Sequence, residues 1–110
     1  VLLCLIGVHD HEKDSPQRVR INLDLAVVED GQPIEDKLAN VVCYEEIVTQ
    51  VRDIVSRRHV KLVETLAEDV VAACFTDASV RSARVRIEKL DVFADTASVG
   101  IEIERLNSEV

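Results

Sequence analysis

The sequence predicts an α+β layer, in which a four-stranded antiparallel sheet carries two helices on one face, in the order strand, strand, helix, helix, strand, strand. Three patterns support this. From Arg18 to Val27 the residues alternate strictly, with Val19, Ile21, Leu23, Leu25 and Val27 on one side and Arg18, Arg20, Asn22 and Asp24 on the other. That is the period of a strand with one wet face. The middle of the chain changes to helical spacing, and near its end the alternation returns twice.

Residues 1 to 9 read as a buried strand, with Gly7 marking a bulge or a close approach to the backbone. A polar connection runs from His9 to Pro16 before the alternating strand. Asp30, Gly31, Gln32 and Pro33 mark a turn, and a loop extends to about Val42. Tyr44, Ile47, Val48, Val51, Ile54 and Val55 then give the first helix one apolar face, and Arg57, Arg58 and His59 end it with the cations favoured at a helix C-terminus. The second helix spans about Leu62 to Phe75, with apolar residues at 63, 66, 67, 70, 71 and 74. Ala83, Val85 and Ile87 alternate with Arg84, Arg86 and Glu88, and Val99, Ile101 and Ile103 alternate with Ser98, Glu102 and Glu104. Four long strands leave two long sheet edges, which invite pairing with neighbouring subunits, and a cyclic oligomer would remove them.

The 110 residues suit a single domain, 1–110, with one modest core. The absence of an initiator Met and a start inside an apolar run leave room for residues before Val1. Hydrophobic residues at 47% and charged residues at 31% argue against a disordered tail and a membrane protein, and the run from Val1 to Val8 is too short to span a bilayer. The sequence-based expectation is therefore a cytoplasmic location. A net charge of −8, with 21 acidic and 13 basic residues, disfavours a nucleic-acid partner. Arg84, Arg86 and Glu88 share one strand face, which reads as a solvated or interface surface. Cys4, Cys43 and Cys74 are far apart and read as reduced thiols, without a disulfide framework or a thiolate metal site.

Two residues stand out. Glu64 lies in the first turn of the second helix, where the dipole favours a carboxylate. It reads either as a solvated charge or as an acceptor at the floor of a pocket. Lys89 breaks the alternation, continuing the apolar side of its strand at the strand's end, where it must snorkel to solvent or line a cavity.

Several segments carry a resemblance to a known family. They are Ile6, Gly7, Val8, His9, Asp10, His11, Glu12; Val42, Cys43, Tyr44, Glu45, Glu46, Ile47; Leu62, Val63, Glu64, Thr65, Leu66, Ala67, Glu68; Arg86, Ile87, Glu88, Lys89; and Val99, Gly100, Ile101, Glu102, Ile103, Glu104, Arg105. In this order, over about Leu5 to Leu106, they resemble the successive motifs of dihydroneopterin aldolase. The resemblance implies a tunnelling fold (ββααββ), in which the sheets of four subunits join into a barrel, two rings stack as a homo-octamer and pterin sites lie between subunits.

It also implies an aldehyde-lyase of folate biosynthesis. The enzyme would cleave the side chain of dihydroneopterin by a retro-aldol step, giving hydroxymethyldihydropterin and glycolaldehyde. The ring imine of the dihydropterin takes up the electrons, so neither a Schiff base, a metal nor a cofactor is required. By the same resemblance, Lys89 is the catalytic lysine, Tyr44 orients a catalytic water and serves proton transfer, and Glu12 holds the side-chain hydroxyls and the lysine. Glu64 anchors the pterin by accepting its amino group and ring N–H together, with Val63, Leu62, Val42 and Cys43 completing the pocket. Structural readings stand beside these: Tyr44 as core, Glu12 as a loop charge.

Two positions depart from the family pattern. Leu90 follows the lysine where proline is common, bearing on the loop from Asp91 to Asp95, and Asn40 stands where an aspartate often precedes the tyrosine segment. A dihydroneopterin or dihydroneopterin triphosphate epimerase uses similar residues, although few basic residues lie beside Glu12 to receive a triphosphate. A zinc-dependent relative such as pyruvoyl-tetrahydropterin synthase would need a third histidine with His9 and His11, and His59 falls between helices. A non-catalytic pterin-binding module would keep Glu64 without needing Lys89.

Overall fold

The computed structural model describes residues 1–29, 31–57 and 59–108, so Asp30 of the expected turn and Arg58 of the expected helix end lie outside the described residues. Strand β1 spans Leu2–Cys4, helix α1 Asp10–Lys13, β2 Gln17–Val27, α2 Tyr44–Arg57, α3 Val63–Cys74, β3 Val80–Lys89 and β4 Val99–Leu106. A 3-10 turn at Leu38–Asn40 leads towards α2. The strands form one sheet in the order β1-β2-β3-β4, each neighbouring pair antiparallel. The α+β class expected from the alternation is therefore present. No helix among the described residues is long and apolar enough to cross a membrane.

Val19, Ala83, Val85 and Ile87 form the buried side of the sheet, and Ile47, Val51 and Val55 of α2 pack with Leu66, Ala67, Val70 and Val71 of α3 in the same core. The helix residues are those at helical spacing, because that spacing puts them on one stripe facing the sheet. The other sheet face is charged. There Arg20 pairs with Glu88 at 2.9 Å, Arg86 holds the same carboxylate, and Arg84 lies 4.0 Å from Asp24. Glu88 is only 6% exposed, so this face, expected as a solvated or interface surface, already covers one of its carboxylates within the single chain. The guanidiniums of Arg86 and Arg20 hold its carboxyl below the usual range.

The first strand is shorter than the apolar run. It ends at Cys4, after which Ile6 forms a parallel bridge with Val60, and Gly7 N–H donates to the Val60 carbonyl at 2.9 Å. Ile6 is fully buried there, so the run stays apolar while it leaves the sheet. The polar connection contains the one-turn helix α1, and β3 begins at Val80, three residues before the alternation of Ala83, Val85 and Ile87. Because β1 pairs only with Gln17 to Val19, β2 has no named neighbour on that side beyond Val19, and β4 has none on its outer side.

Candidate active site

Glu12 organises one end of the molecule. It is 6% exposed although it lies on a four-residue helix in a polar segment, which removes the reading of it as a loop charge. Its burial depends on Gly7, whose φ of +130° is one that side chains rarely adopt and whose missing Cβ leaves the volume that the Glu12 carboxylate fills. Glu12 Oε2 accepts from Lys89 Nζ at 2.9 Å and from Gln17 Nε2 at 2.8 Å, and the His9 backbone N–H reaches Oε1 at 3.4 Å. Gln17 Nε2 also donates to the Ile6 carbonyl at 2.8 Å. Burial by itself would raise the Glu12 pKa; the donors Lys89, Gln17 and His9 outweigh it and hold the carboxyl at about 2.

Lys89 is the last residue of β3, opposite Val19 of β2 and Val99 of β4. Its side chain is 16% exposed and its ammonium is bound to Glu12, so it is held inside the fold instead of snorkelling. Cys4 lies nearby, its thiol pushed up by burial against the opposing pull of the Lys89 charge. His59 points a ring nitrogen at the Gly7 carbonyl, 2.8 Å away, and His9 and His11 stack with centroids 5.7 Å apart. A carbonyl only accepts, so His59 Nε2 carries a proton in this contact.

The remaining candidates divide between the two ends of the helix pair. Leu62, Val63 and Glu64 start α3 just after Val60, and Val60 is joined to Ile6 and Gly7; they therefore lie at the Glu12 end. Glu64 is exposed, and no hydrogen bond or ion pair reaches its carboxylate among the described residues; in a single chain it is a surface charge and not a pocket floor. Val42, Cys43 and Tyr44 precede or begin α2, and it is the opposite end of α2, at Arg57, that leads to His59 and Val60. At 1.5 Å per residue α2 is roughly 20 Å long, so its two ends are well separated. The Gln50 to Thr76 hydrogen bond, 3.2 Å, joins the middle of α2 to the residue two beyond α3, in keeping with two helices that run antiparallel. Tyr44 is 79% exposed, so it is not core. One chain thus brings together Glu12 and Lys89, with Glu64 at the same end, and leaves Tyr44 at the other.

Gln17 and Gly7 are the contributors that the residue pattern did not single out as site groups. Gln17 opens β2 as an ordinary polar residue, and only the fold of the chain between it and Glu12 gives it a partner.

Residues 1–104 match the family model described as dihydroneopterin aldolase. A curated relative, dihydroneopterin aldolase of Escherichia coli K12, is 27% identical over 107 residues, covering 97% of this chain and 88% of that protein. Among solved structures, dihydroneopterin aldolase of Burkholderia thailendensis bound to guanine is 36% identical with a TM-score of 0.81, covering 96% of this chain and 84% of that one. The E. coli aldolase in complex with neopterin is 27% identical with a TM-score of 0.85, covering 94% of this chain and 90% of its own.

Proposed function

The chain belongs to the dihydroneopterin aldolase family, and from that premise we propose that Lys89, oriented by Glu12, carries the proton transfer of dihydroneopterin cleavage in a site completed by a second copy of the chain. The observation that carries this reading is the 2.9 Å contact between Lys89 Nζ and Glu12 Oε2, an ammonium and a carboxylate held together in a mostly buried end of the fold.

In the retro-aldol step a proton leaves the side-chain hydroxyl on the carbon that becomes glycolaldehyde. The bond between that carbon and the one attached to the ring breaks, and its electron pair moves into the ring imine. A proton is then delivered to the carbon retained on the ring. The dihydropterin is its own electron sink, so the protein must supply only positioning and proton transfer. Lys89 exchanges the proton and Glu12 orients the lysine and the hydroxyls. Gln17, bound to the same Glu12 oxygen as Lys89, keeps that carboxylate from rotating away.

Glu64 anchors the ring. Guanine and neopterin, the ligands of the two related structures, share an amino group beside a ring N–H, the pair of donors that a carboxylate accepts in bidentate fashion. Leu62 and Val63 supply the walls from the same chain, and Val42, Cys43 and Tyr44 come from a neighbour, Tyr44 serving proton transfer through a water. The distance between Tyr44 and Lys89 within one chain supports this division, as do the open edges of β2 and β4. Four sheets closing edge to edge into a barrel, two such rings making an octamer, would bring the groups together.

Incubation with dihydroneopterin followed by product analysis tests the reading. Hydroxymethyldihydropterin and glycolaldehyde are the expected products; a stereoisomer of the substrate as the sole product would make the protein an epimerase, and tight pterin binding without turnover would make it a binding module.

A further inference from the structure

We propose that Asp91, an exposed carboxylate just beyond β3, is a positioning residue for this reaction, holding Lys89 on Glu12 through a clamp on Arg18; the inference rests on Lys89 being the proton-transfer group. Lys89 is the final residue of β3, and Val19 opposite Lys89 is the last regular pair of the β2–β3 ladder at that end. A side chain at such a position inherits any fraying of the strand end. The ladder is nonetheless continued. Leu90 N–H donates to the Arg18 carbonyl at 3.0 Å, and the Asp91 carboxylate then accepts the Arg18 backbone N–H at 2.9 Å, taking the part of a strand carbonyl. Oδ1 of the same carboxylate accepts from Arg18 Nε at 3.0 Å and from the terminal nitrogen NH2 at 2.7 Å, and Nε also reaches Oδ2 at 3.3 Å, so both carboxylate oxygens hold the guanidinium.

What Arg18 lies between gives the clamp its consequence. Gln17, one residue before, binds Glu12 at 2.8 Å; Val19, one residue after, faces Lys89. Fastening Arg18 to the residue two beyond Lys89 therefore locks the strand that positions Glu12 to the strand that bears the lysine. Strand alternation puts Arg18 on the charged face, away from Lys89, so the clamp acts from behind the site and does not touch substrate. Because Arg18 and Asp91 both reach solvent, their charge attraction contributes little to folding, and the effect of the four bonds between them is to fix geometry. A displacement of about 1 Å at a reacting group can lower a rate by about 10²-fold, so a loosened strand end is costly to chemistry while nearly silent in stability.

The test compares Asp91→Ala, Asp91→Asn and Arg18→Ala with the unaltered full-length oligomer, measuring single-turnover cleavage of dihydroneopterin, affinity for neopterin and thermal unfolding. Asp91→Ala should lower the cleavage rate constant at least about tenfold while affinity stays within about twofold, because Glu64 and not Lys89 holds the ring. Asp91→Asn retains an oxygen for the Arg18 N–H, and Arg18→Ala retains that backbone bond, so both should lose less than Asp91→Ala. Cleavage by Asp91→Ala at the unaltered rate overturns the inference, and so does a parallel fall of rate, affinity and melting temperature, which would make the clamp merely structural. Failure of the unaltered protein to cleave dihydroneopterin would instead remove the reading of Lys89, and the inference with it.

Discussion

The Glu12 carboxylate occupies the space in which a side chain at residue 7 would stand: a Cβ on Gly7 would run into both of its oxygens and the carbon between them. The opening of the chain and the Glu12 carboxylate are thus a matched pair. Gly7→Ala must expel Glu12 or shift the backbone, and a non-glycine residue at φ +130° is itself strained by about 1–3 kcal/mol. We expect a lowered melting temperature together with loss of turnover greater than the stability change accounts for, checked by measuring turnover well below the variant's own melting point.

The Glu12 ion pair has a defined signature in pH. Its carboxyl is held at about 2 against an ordinary value of 4.5, a depressed folded-state pKa, so the stabilisation it gives is fully present above 4.5 and is lost as pH falls from there towards 2. Asp91 and Glu88 are shifted in the same direction by Arg18 and Arg86, so the wild-type curve alone does not isolate Glu12. Denaturant titrations of wild type and Glu12→Gln should show their stability difference shrinking across that window. A difference independent of pH would mean that Glu12 is not the ionised partner of Lys89.

Replacing Glu64 should weaken binding and leave folding alone. It is exposed in the first turn of α3, and in Glu64→Gln one acceptor becomes a donor facing a donor on the pterin. A hydrogen bond to a charged group is worth about 1.5–3 kcal/mol, so affinity for neopterin should fall at least about tenfold. Calorimetry giving unchanged affinity would show that the anchor is elsewhere.

How far the sequence alone carried this account differs by element. The alternation in β2, β3 and β4 is a direct consequence of one face being buried and the other charged, and it was legible. So was Lys89, because a charge on the apolar parity of a strand is visible without a structure. The length of β1 was not, since apolarity in residues 1 to 8 reports burial and not the partner: Ile6 is buried against Val60 instead of within the sheet. Helix α1 has four polar or charged residues and no periodicity to reveal it. In the sequence Glu88 reads as part of a solvated or interface face, and its burial is not visible there because its covering arginines come partly from another strand, Arg20 across the ladder. The resemblance supplied the site residues as one set; only the topology separates Tyr44 from Lys89.

That separation predicts complementation. If each site takes Tyr44 from one chain and Lys89 from its neighbour, Tyr44→Ala and Lys89→Ala should each be nearly inactive, whereas co-assembled mixtures of the two should regain activity, because some interfaces then combine two intact contributions. Light scattering on the same material should report a ring-sized oligomer. A stable, active monomer, or a mixture no more active than its components, would contradict a shared site.

The most direct test of the whole account is single-turnover rapid quench of Lys89→Ala with dihydroneopterin, with neopterin affinity measured on the same preparation. In the proposed reaction Lys89 exchanges a proton that moves only during the chemical step, and acid–base assistance typically contributes about 10²–10⁴-fold. The account predicts a fall of that size in the cleavage rate constant with affinity largely kept. Cleavage at the wild-type rate would contradict it, and would reduce the Lys89–Glu12 contact to a structural ion pair at the end of a strand.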